Sequence, residues 1–135
     1  MNDDEYLETL GALMVRTIPL DQALEVLRTE RPGGEAQIQR LQELRSQLTT
    51  VRVELDALNV VDPPLSELQI ICQRIFRHQI EGCRLLELAV FTFVETLFRK
   101  AGEEFAKART AQSEAIAWID IRELSENRPD IFQRA

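Results

Sequence analysis

The hydrophobic pattern is densest from Cys83 to Ala108, where two apolar seams run side by side along a predicted helix. On a helix that advances 100° per residue, positions three and four apart share a face. A helix with two adjacent apolar seams must be covered by more than one neighbour, so we predict that it is the central helix of a bundle. The seams comprise Phe91, Val94, Phe98, Ala101, Phe105 and Ala108, and Leu86, Val90, Phe93 and Leu97.

Before this stretch, helix start and stop signals divide the chain into further elements. A first helix capped near Asn2 is predicted to end or kink at Pro19, because proline disfavours helix in the residue before it. A short second helix is predicted from about Leu20 to Glu30. The turn signal Pro32-Gly33-Gly34 separates it from a long third helix over 35–59.

After the third helix, Asp62 followed by Pro63 predicts the start of a fourth helix. Its apolar phase matches the central stretch, so residues 65–108 are either one kinked helix or two helices with a break near Gly82. Glycine costs about 1 kcal/mol in a helix interior, which makes Gly82 the predicted position of that break. A last helix is predicted from about Ala111 to Ser125.

The third helix carries a heptad seam in which the spacing alternates between three and four residues. Such a seam is typical of long helices that pack near +20°. Packing within one chain is the favoured interpretation, and a homodimer is the alternative that the pattern leaves open. The seam comprises Leu41, Leu44, Leu48, Val51, Leu55 and Leu58, and the predicted self-association residues are Leu41, Leu44, Leu48, Val51, Phe91, Phe98 and Phe105.

These patterns predict an all-α fold, a compact bundle of five to six helices around a long Phe-rich central helix. The chain of 135 residues is long enough to bury roughly two-thirds of its unfolded surface. We therefore expect residues 1–127 to form a single bundle domain and residues 128–135 to form a C-terminal tail. Neither an internal repeat nor a run of alternating β-branched residues is present.

The formal net charge of −7 argues against a general nucleic-acid binder and in favour of a soluble protein. Residues 1–34 carry seven acids and three bases, so the acidity is concentrated at the start of the chain. The N-terminus lacks the pattern of a signal peptide, and the most apolar window is too short and too charged to span a bilayer. Cys72 and Cys83 are expected to be free buried thiols. We predict a cytoplasmic protein without membrane association.

Catalytic motifs are absent from the sequence: it has no P-loop, no dinucleotide-binding glycine pattern, no HExxH and no CxxC. The chain has a single histidine, His78, and position 75, three residues before it, is Ile75 rather than the glutamate of a di-iron bundle. We therefore predict no enzyme activity, no metal site and no cofactor.

His78 is predicted to lie on the exposed side of its helix among arginine side chains. The run from His78 to Gly82 resembles the HxLKG segment of histidine-phosphotransfer domains, which are acidic four-helix bundles of about this size. That resemblance implies that His78 accepts a phosphoryl group and that Gly82 leaves room for the donor protein. The match covers five residues with two identities, and Glu81 replaces the lysine of the family.

Three hypotheses for function follow. The first is a non-catalytic protein–protein interaction module, such as an adaptor, an assembly subunit, a chaperone-like or a regulatory protein, whose partner is a protein of unknown identity. The alternatives are a histidine-phosphotransfer-like module and a minor subunit that binds RNA or an acidic partner through Arg74, Arg77 and Arg84. The predicted partner-binding residues are Arg74, Arg77, His78, Glu81, Arg84, Leu85 and Leu88.

Overall fold

A computed structural model describes residues 2–60 and 62–127 of the chain, and that part contains four α-helices and no strand. The all-α prediction is confirmed, whereas the helix count is four instead of five or six. The predicted tail, 128–135, lies outside the described residues, so the division into one domain and a tail stays a prediction. The helices are α1 (Asp3–Thr29), α2 (Glu35–Asp56), α3 (Pro63–Thr92) and α4 (Glu95–Asn127).

Helix α1 runs unbroken through Pro19, and the predicted separation into two helices is wrong. Asn2 caps the helix, because its Oδ1 accepts a hydrogen bond of 2.8 Å from the backbone N–H of Glu5. Pro19 has no N–H to donate to the carbonyl of Val15. Buried side chains on both sides of the proline, such as Thr17 and Leu24, hold the helix together by packing.

Helix α2 and its heptad seam agree with the sequence prediction. The helix begins after Gly34, whose φ of 88° suits glycine, and it ends at Asp56. Leu41, Leu44, Leu48, Val51 and Leu55 are all buried within this single chain. The seam is therefore covered inside the bundle, as the intramolecular interpretation requires.

The break between α3 and α4 lies at Phe93 and Val94, eleven residues after the predicted position at Gly82. Phe93 has φ 55° and ψ 31°, the left-handed conformation that ends a helix, and its N–H donates to the carbonyl of Ala89 at 2.7 Å. The two-residue connection turns α4 back along α3. The long central helix is therefore replaced by a helical hairpin.

Gly82 lies in the interior of α3, where it permits close packing of the hairpin. A Cβ atom at this position would lie 2.5 Å from Cε1 of Phe105, which is far too close for two carbon atoms. Phe105 on α4 is buried, and its ring occupies the space that the missing side chain leaves. The glycine marks a contact between helices instead of a bend.

Polar contacts between helices show that each helix runs antiparallel to the next. Arg16 of α1 pairs with Glu54 near the end of α2, whereas Glu30 after α1 pairs with Arg40 near the start of α2. In the same way Asp56 and Arg45 of α2 contact Gln73 and Glu87 of α3, respectively. Arg74 of α3 and Glu114 of α4 are 2.7 Å apart. The result is an up-down-up-down four-helix bundle with its core between the four helices.

The predicted central seam is divided by the hairpin turn. Phe105 is buried at 4% exposure and Phe98 is half-buried, but Phe91 is 76% exposed. Phe93 and Val94 are exposed as well, because they form the turn instead of continuing a helical face. The prediction that Phe91, Phe93 and Val94 belong to the core is wrong.

The left-handed backbone at Phe93 predicts a stabilising substitution. Phe93→Gly should raise the free energy of unfolding by about 1 kcal/mol, because a left-handed conformation is strained for an L-residue with a side chain. The exposed ring of Phe93 contributes little burial that would be lost. Urea denaturation followed by circular dichroism measures the change.

Phe91→Gly is the matched control, since Phe91 is also exposed but lies inside α3 with helical backbone. It should lower the free energy of unfolding by roughly 0.5–1 kcal/mol. Equal effects of the two substitutions would show that the conformation of Phe93 carries no strain.

Candidate functional site

A groove of about 730 Å³ runs between α1 and α4, with α3 as its floor. Leu7, Leu10 and Met14 of α1 form one wall, and α4 forms the other. Cys72, Ile75 and Phe76 of α3 form the floor. Its lining is mostly apolar, as in sites for apolar ligands or for helices of a partner protein.

The groove exists because α4 packs closely on α3 and α1 packs closely on α2, whereas the backbones of α1 and α4 make few or no close contacts with each other. Gly11 of α1 faces open space, and Ala115 offers only a methyl group from α4. Near the two ends the helices are joined by long charged side chains, through Arg109 and Glu25 at 2.8 Å and through Arg122 and Asp3 at 4.0 Å. The space between α1 and α4 stays open between these two ion pairs.

Exposed branched aliphatic side chains form the rims of the groove. Val15 and Ile18 on α1 and Ile116 and Ile119 on α4 are between 41% and 65% exposed. Isolated apolar residues are ordinary on a surface, but four of them on both edges of an apolar depression form a continuous patch. Such a patch is typical of a contact site.

Toward the Glu126 end of the groove α4 carries Arg122, and one turn before it Trp118 lies near the middle of the α4 wall. The guanidinium carbon of Arg122 lies 5.6 Å from the centroid of the Trp118 ring, a cation–π distance. Arg122 also pairs with Glu126 at 3.2 Å. This end is therefore amphipathic, with an aromatic surface beside charged groups.

The other end carries a polar cluster, defined as Asp21, Gln79 and Gln112. The Nε2 of Gln79 donates to Oδ1 of Asp21 at 2.7 Å, and the Nε2 of Gln112 donates to Oδ2 at 3.3 Å. Burial raises the pKa of Asp21 above its ordinary value of 3.8, the two amide donors oppose that rise, and nearby Glu25 adds to it. Three helices thus meet at one partly buried carboxylate.

A smaller cavity of about 100 Å³ lies on the far side of the polar cluster. Arg28 covers it, with its guanidinium carbon 4.7 Å from the centroid of Phe105. Arg28 also pairs with Glu25 at 3.0 Å. The polar cluster therefore lies between the apolar groove and the smaller cavity that Arg28 lines.

The described residues contain no group of three or more His, Cys, Asp and Glu side chains that could hold a metal ion. Asp21 is a partly buried carboxylate at one end of the groove, and its hydrogen bonds come from the amides of Gln79 and Gln112. The arrangement can bind apolar surface and one polar or cationic group.

His78 lies between α3 and α4 with its side chain only 18% exposed, so its predicted position on the exposed side is wrong. Its Nδ1 is 2.6 Å from Oε2 of Glu104 on α4. The neighbouring helix, invisible to a single-helix projection, covers the imidazole. Burial of the imidazole between two helices limits the access of a donor protein to it, and the phosphotransfer hypothesis stays a prediction.

The predicted arginine surface is largely engaged in ion pairs. Arg74 pairs with Glu114 at 2.7 Å, and Arg84 pairs with Glu81 through bonds of 2.8 and 2.5 Å. Arg77 is exposed. Pairing with carboxylates leaves this face with little free positive charge for RNA phosphates or an acidic partner.

The remaining predicted contact residues are spread over different environments. Leu85 is half-buried against the core, whereas Leu88 is 40% exposed. The structure therefore does not gather the predicted partner-binding residues into one apolar surface. Among the predicted self-association residues of the hairpin, Phe91 is exposed, Phe98 is half-buried and Phe105 is buried. The predicted self-association residues of α2 are all buried.

The groove was not predicted from the sequence, although the first helix carries a signal of it. Val15 and Ile18 do not fit the core face of the first helix, which is Tyr6, Leu10 and Leu13. An apolar pair outside that face indicates a second apolar surface, but its partner wall on α4 lies about 100 residues away in the chain. Only the fold brings the two walls together.

Comparison of the chain with protein-family models, with curated proteins and with solved structures finds no match. Within residues 2–60 and 62–127, none of the helices combines the length and the hydropathy needed to cross a membrane.

Proposed function

We propose that the chain is a non-catalytic protein–protein interaction module that binds an amphipathic helix of a partner protein in the groove between α1 and α4. The observation that supports this proposal most directly is the apolar groove with its exposed aliphatic rims. Helix-in-groove recognition uses apolar anchors three or four residues apart, which such a depression accepts.

The length of the groove suits a helical occupant. Its α1 wall extends from Leu7 to Asp21 and its α4 wall from Gln112 to Glu126. At 1.5 Å per residue each wall is about 21 Å long, which corresponds to about four turns of a bound helix. A helix of that length presents four or five anchor side chains on one face, enough to fill an apolar depression.

Charge favours a basic partner helix over a second copy of this chain. The charged residues that line the groove are Asp21, Glu123 and Glu126 with a single base, Arg122. The first turn of α1, beside the Arg122 end, adds Asp3, Asp4 and Glu5. A second copy would bring another net charge of −7 to an acidic site, whereas a basic amphipathic helix complements it.

The proposal is tested with a displayed library of 20-residue amphipathic helices whose polar positions are randomised. We expect the chain to select basic sequences, and synthetic copies should shift the fluorescence of Trp118, the one tryptophan of the chain, which lies in the groove. Titration of this signal gives the dissociation constant of each peptide.

Two pairs of variants locate the binding surface. Ile116→Ser and Ile18→Ser remove apolar side chains from the rims without adding charge and should weaken binding at least about tenfold, a change of roughly 1.4 kcal/mol. Ile121→Ser and Val26→Ser make comparable changes at exposed positions outside the groove and should leave binding within about twofold. Equal losses in both pairs, or failure to select any peptide, would overturn the proposal.

A cytoplasmic location belongs to the same proposal. Cys72 and Cys83 are both free and buried, and burial raises the pKa of Cys72 to about 11 and that of Cys83 to about 12. Buried thiols with such pKa values are protected from oxidation and suit a reducing compartment. Self-association stays a prediction, for which exposed Phe91 offers the accessible apolar side chain.

A further inference from the structure

The carboxylate of Asp21 is held firmly but is not neutralised by a cation. Both of its oxygens accept hydrogen bonds from amides, and within the described part of the chain no Lys, Arg or His nitrogen lies within 4.0 Å of them. The two nearby bases are engaged elsewhere, because Arg28 and Arg109 both pair with Glu25. A partly buried carboxylate in this state retains the capacity to accept bonds from a cation.

Gln79, beside Asp21, has an unused acceptor. The side chain is only 3% exposed, and its Oε1 has no hydrogen-bond partner among the described residues, although its Nε2 bonds to Asp21. Buried polar atoms are nearly always paired, so an unpaired one calls for an explanation. A donor supplied by a bound partner would complete the cluster.

We propose that Asp21 and Gln79 receive an arginine side chain of the helix bound in the groove, which fixes the direction and register of that helix. This inference rests on the proposed function and adds to it the chemistry of one anchor residue. The guanidinium group is planar and has five N–H donors, so it can donate hydrogen bonds to the carboxylate and to the adjacent amide oxygen at once. A lysine ammonium group matches two separated acceptors less well, because it is a compact point charge.

The position of the polar cluster explains why the contact would set direction. Asp21 lies at one end of the groove, and Arg122 and Glu126 lie toward the other. An arginine at the other end of the partner helix would meet Glu126 and Asp3, which already pair with Arg122, instead of Asp21, which pairs with no cation. Only one orientation of the helix therefore brings a guanidinium group to the polar cluster.

The test uses a peptide selected from the helix library, with its Asp21-facing arginine replaced by lysine or by citrulline. Citrulline keeps the shape of the side chain and removes its charge. On the unmodified chain we expect citrulline to bind at least about tenfold more weakly than arginine, with lysine between them. Trp118 fluorescence gives the dissociation constants.

Asp21→Asn should reduce the arginine-to-citrulline ratio to below about twofold, because asparagine can still accept from Gln79 but carries no charge. Asp120→Asn makes the same substitution at an exposed position of α4 outside the groove and should preserve the ratio. Gln79→Met should reduce the preference for arginine over lysine. Circular dichroism of each variant confirms that the helices are formed.

The possible outcomes separate this inference from the proposed function. If selected peptides bind in the groove but arginine and citrulline peptides differ by less than about twofold, the arginine contact is overturned and the helix-binding function stands. The same holds if Asp120→Asn lowers the ratio as much as Asp21→Asn. If no peptide depends on the rim residues Ile18 and Ile116, the proposed function fails and the inference fails with it.

Discussion

Leu48→Ala is expected to lower the free energy of unfolding by about 2–5 kcal/mol, the usual cost of a cavity at a buried leucine. Leu48 is 1% exposed and lies in the middle of the α2 heptad seam, within the core cluster. Its neighbours are fixed by packing on several sides, so the cavity cannot collapse fully. Urea denaturation followed by circular dichroism measures the loss.

Val53→Ala on the same helix is the matched control, because Val53 is 62% exposed. That substitution should change the free energy of unfolding by less than about 0.5 kcal/mol. A loss at Leu48 no larger than the loss at Val53 would show that the seam is not in the core.

Urea denaturation at several protein concentrations also tests whether the heptad seam of α2 packs within one chain or joins two copies. If α2 packs within its own chain, the unfolding midpoints of the unmodified chain and of Leu48→Ala should not depend on protein concentration. If the seam joins two copies, dilution should lower both midpoints. Concentration dependence would therefore contradict the intramolecular packing seen in this structure.

Gly82→Ala is expected to lower the free energy of unfolding by about 1–3 kcal/mol, as overpacking of a core does. In most helix interiors the change from glycine to alanine stabilises, since alanine loses less conformational freedom on folding. At Gly82 the added methyl group would lie 2.5 Å from the buried ring of Phe105. Thermal unfolding at fixed concentration measures the change.

Gly102→Ala provides the control, because Gly102 is inside α4 with no atom within 4 Å of its would-be Cβ. It should raise the free energy of unfolding by about 0.5–1 kcal/mol. Combining Gly82→Ala with Phe105→Leu removes the ring atoms that clash, so the cost of the added methyl group should shrink in that background. An additive double variant would show that Phe105 is not the contact that requires glycine.

Local signals in the sequence predicted the elements that local physics determines. The Gly34 turn, the Asp62–Pro63 start and the heptad seam of α2 were all placed correctly. Each depends on nearby atoms: a backbone conformation that glycine tolerates, a proline that fits the first turn of a helix, and a repeat that puts leucines on one face. A single sequence is sufficient for such features.

The errors arose where distant parts of the chain overruled a local preference. Pro19 disfavours helix, yet packing of the side chains around it keeps α1 continuous. Glycine disfavours helix as well, but at Gly82 the absent side chain leaves room for the ring of Phe105. Phe105 comes from α4 and lies beside Gly82 only because α3 and α4 form a hairpin. His78 was assigned to the exposed side because its cover, Glu104, comes from another helix.

The candidate site shows the same limit. The predicted contact surface, with Arg84 and Leu88, was chosen on one helix, because a helical projection compares only residues on the same element. The groove has walls on the first and last helices, and the polar cluster joins Asp21, Gln79 and Gln112 from three helices. No spacing along the chain indicates such a meeting.

The sequence alone determined an all-helical chain with apolar seams, an acidic start and free thiols, because composition and periodicity act over a few residues. The tertiary structure decided where the last hairpin turns, which glycine is a packing contact, and that α1 and α4 stand apart over α3. These outcomes depend on which side chains fill the space between helices. The groove is the space that this packing leaves unfilled.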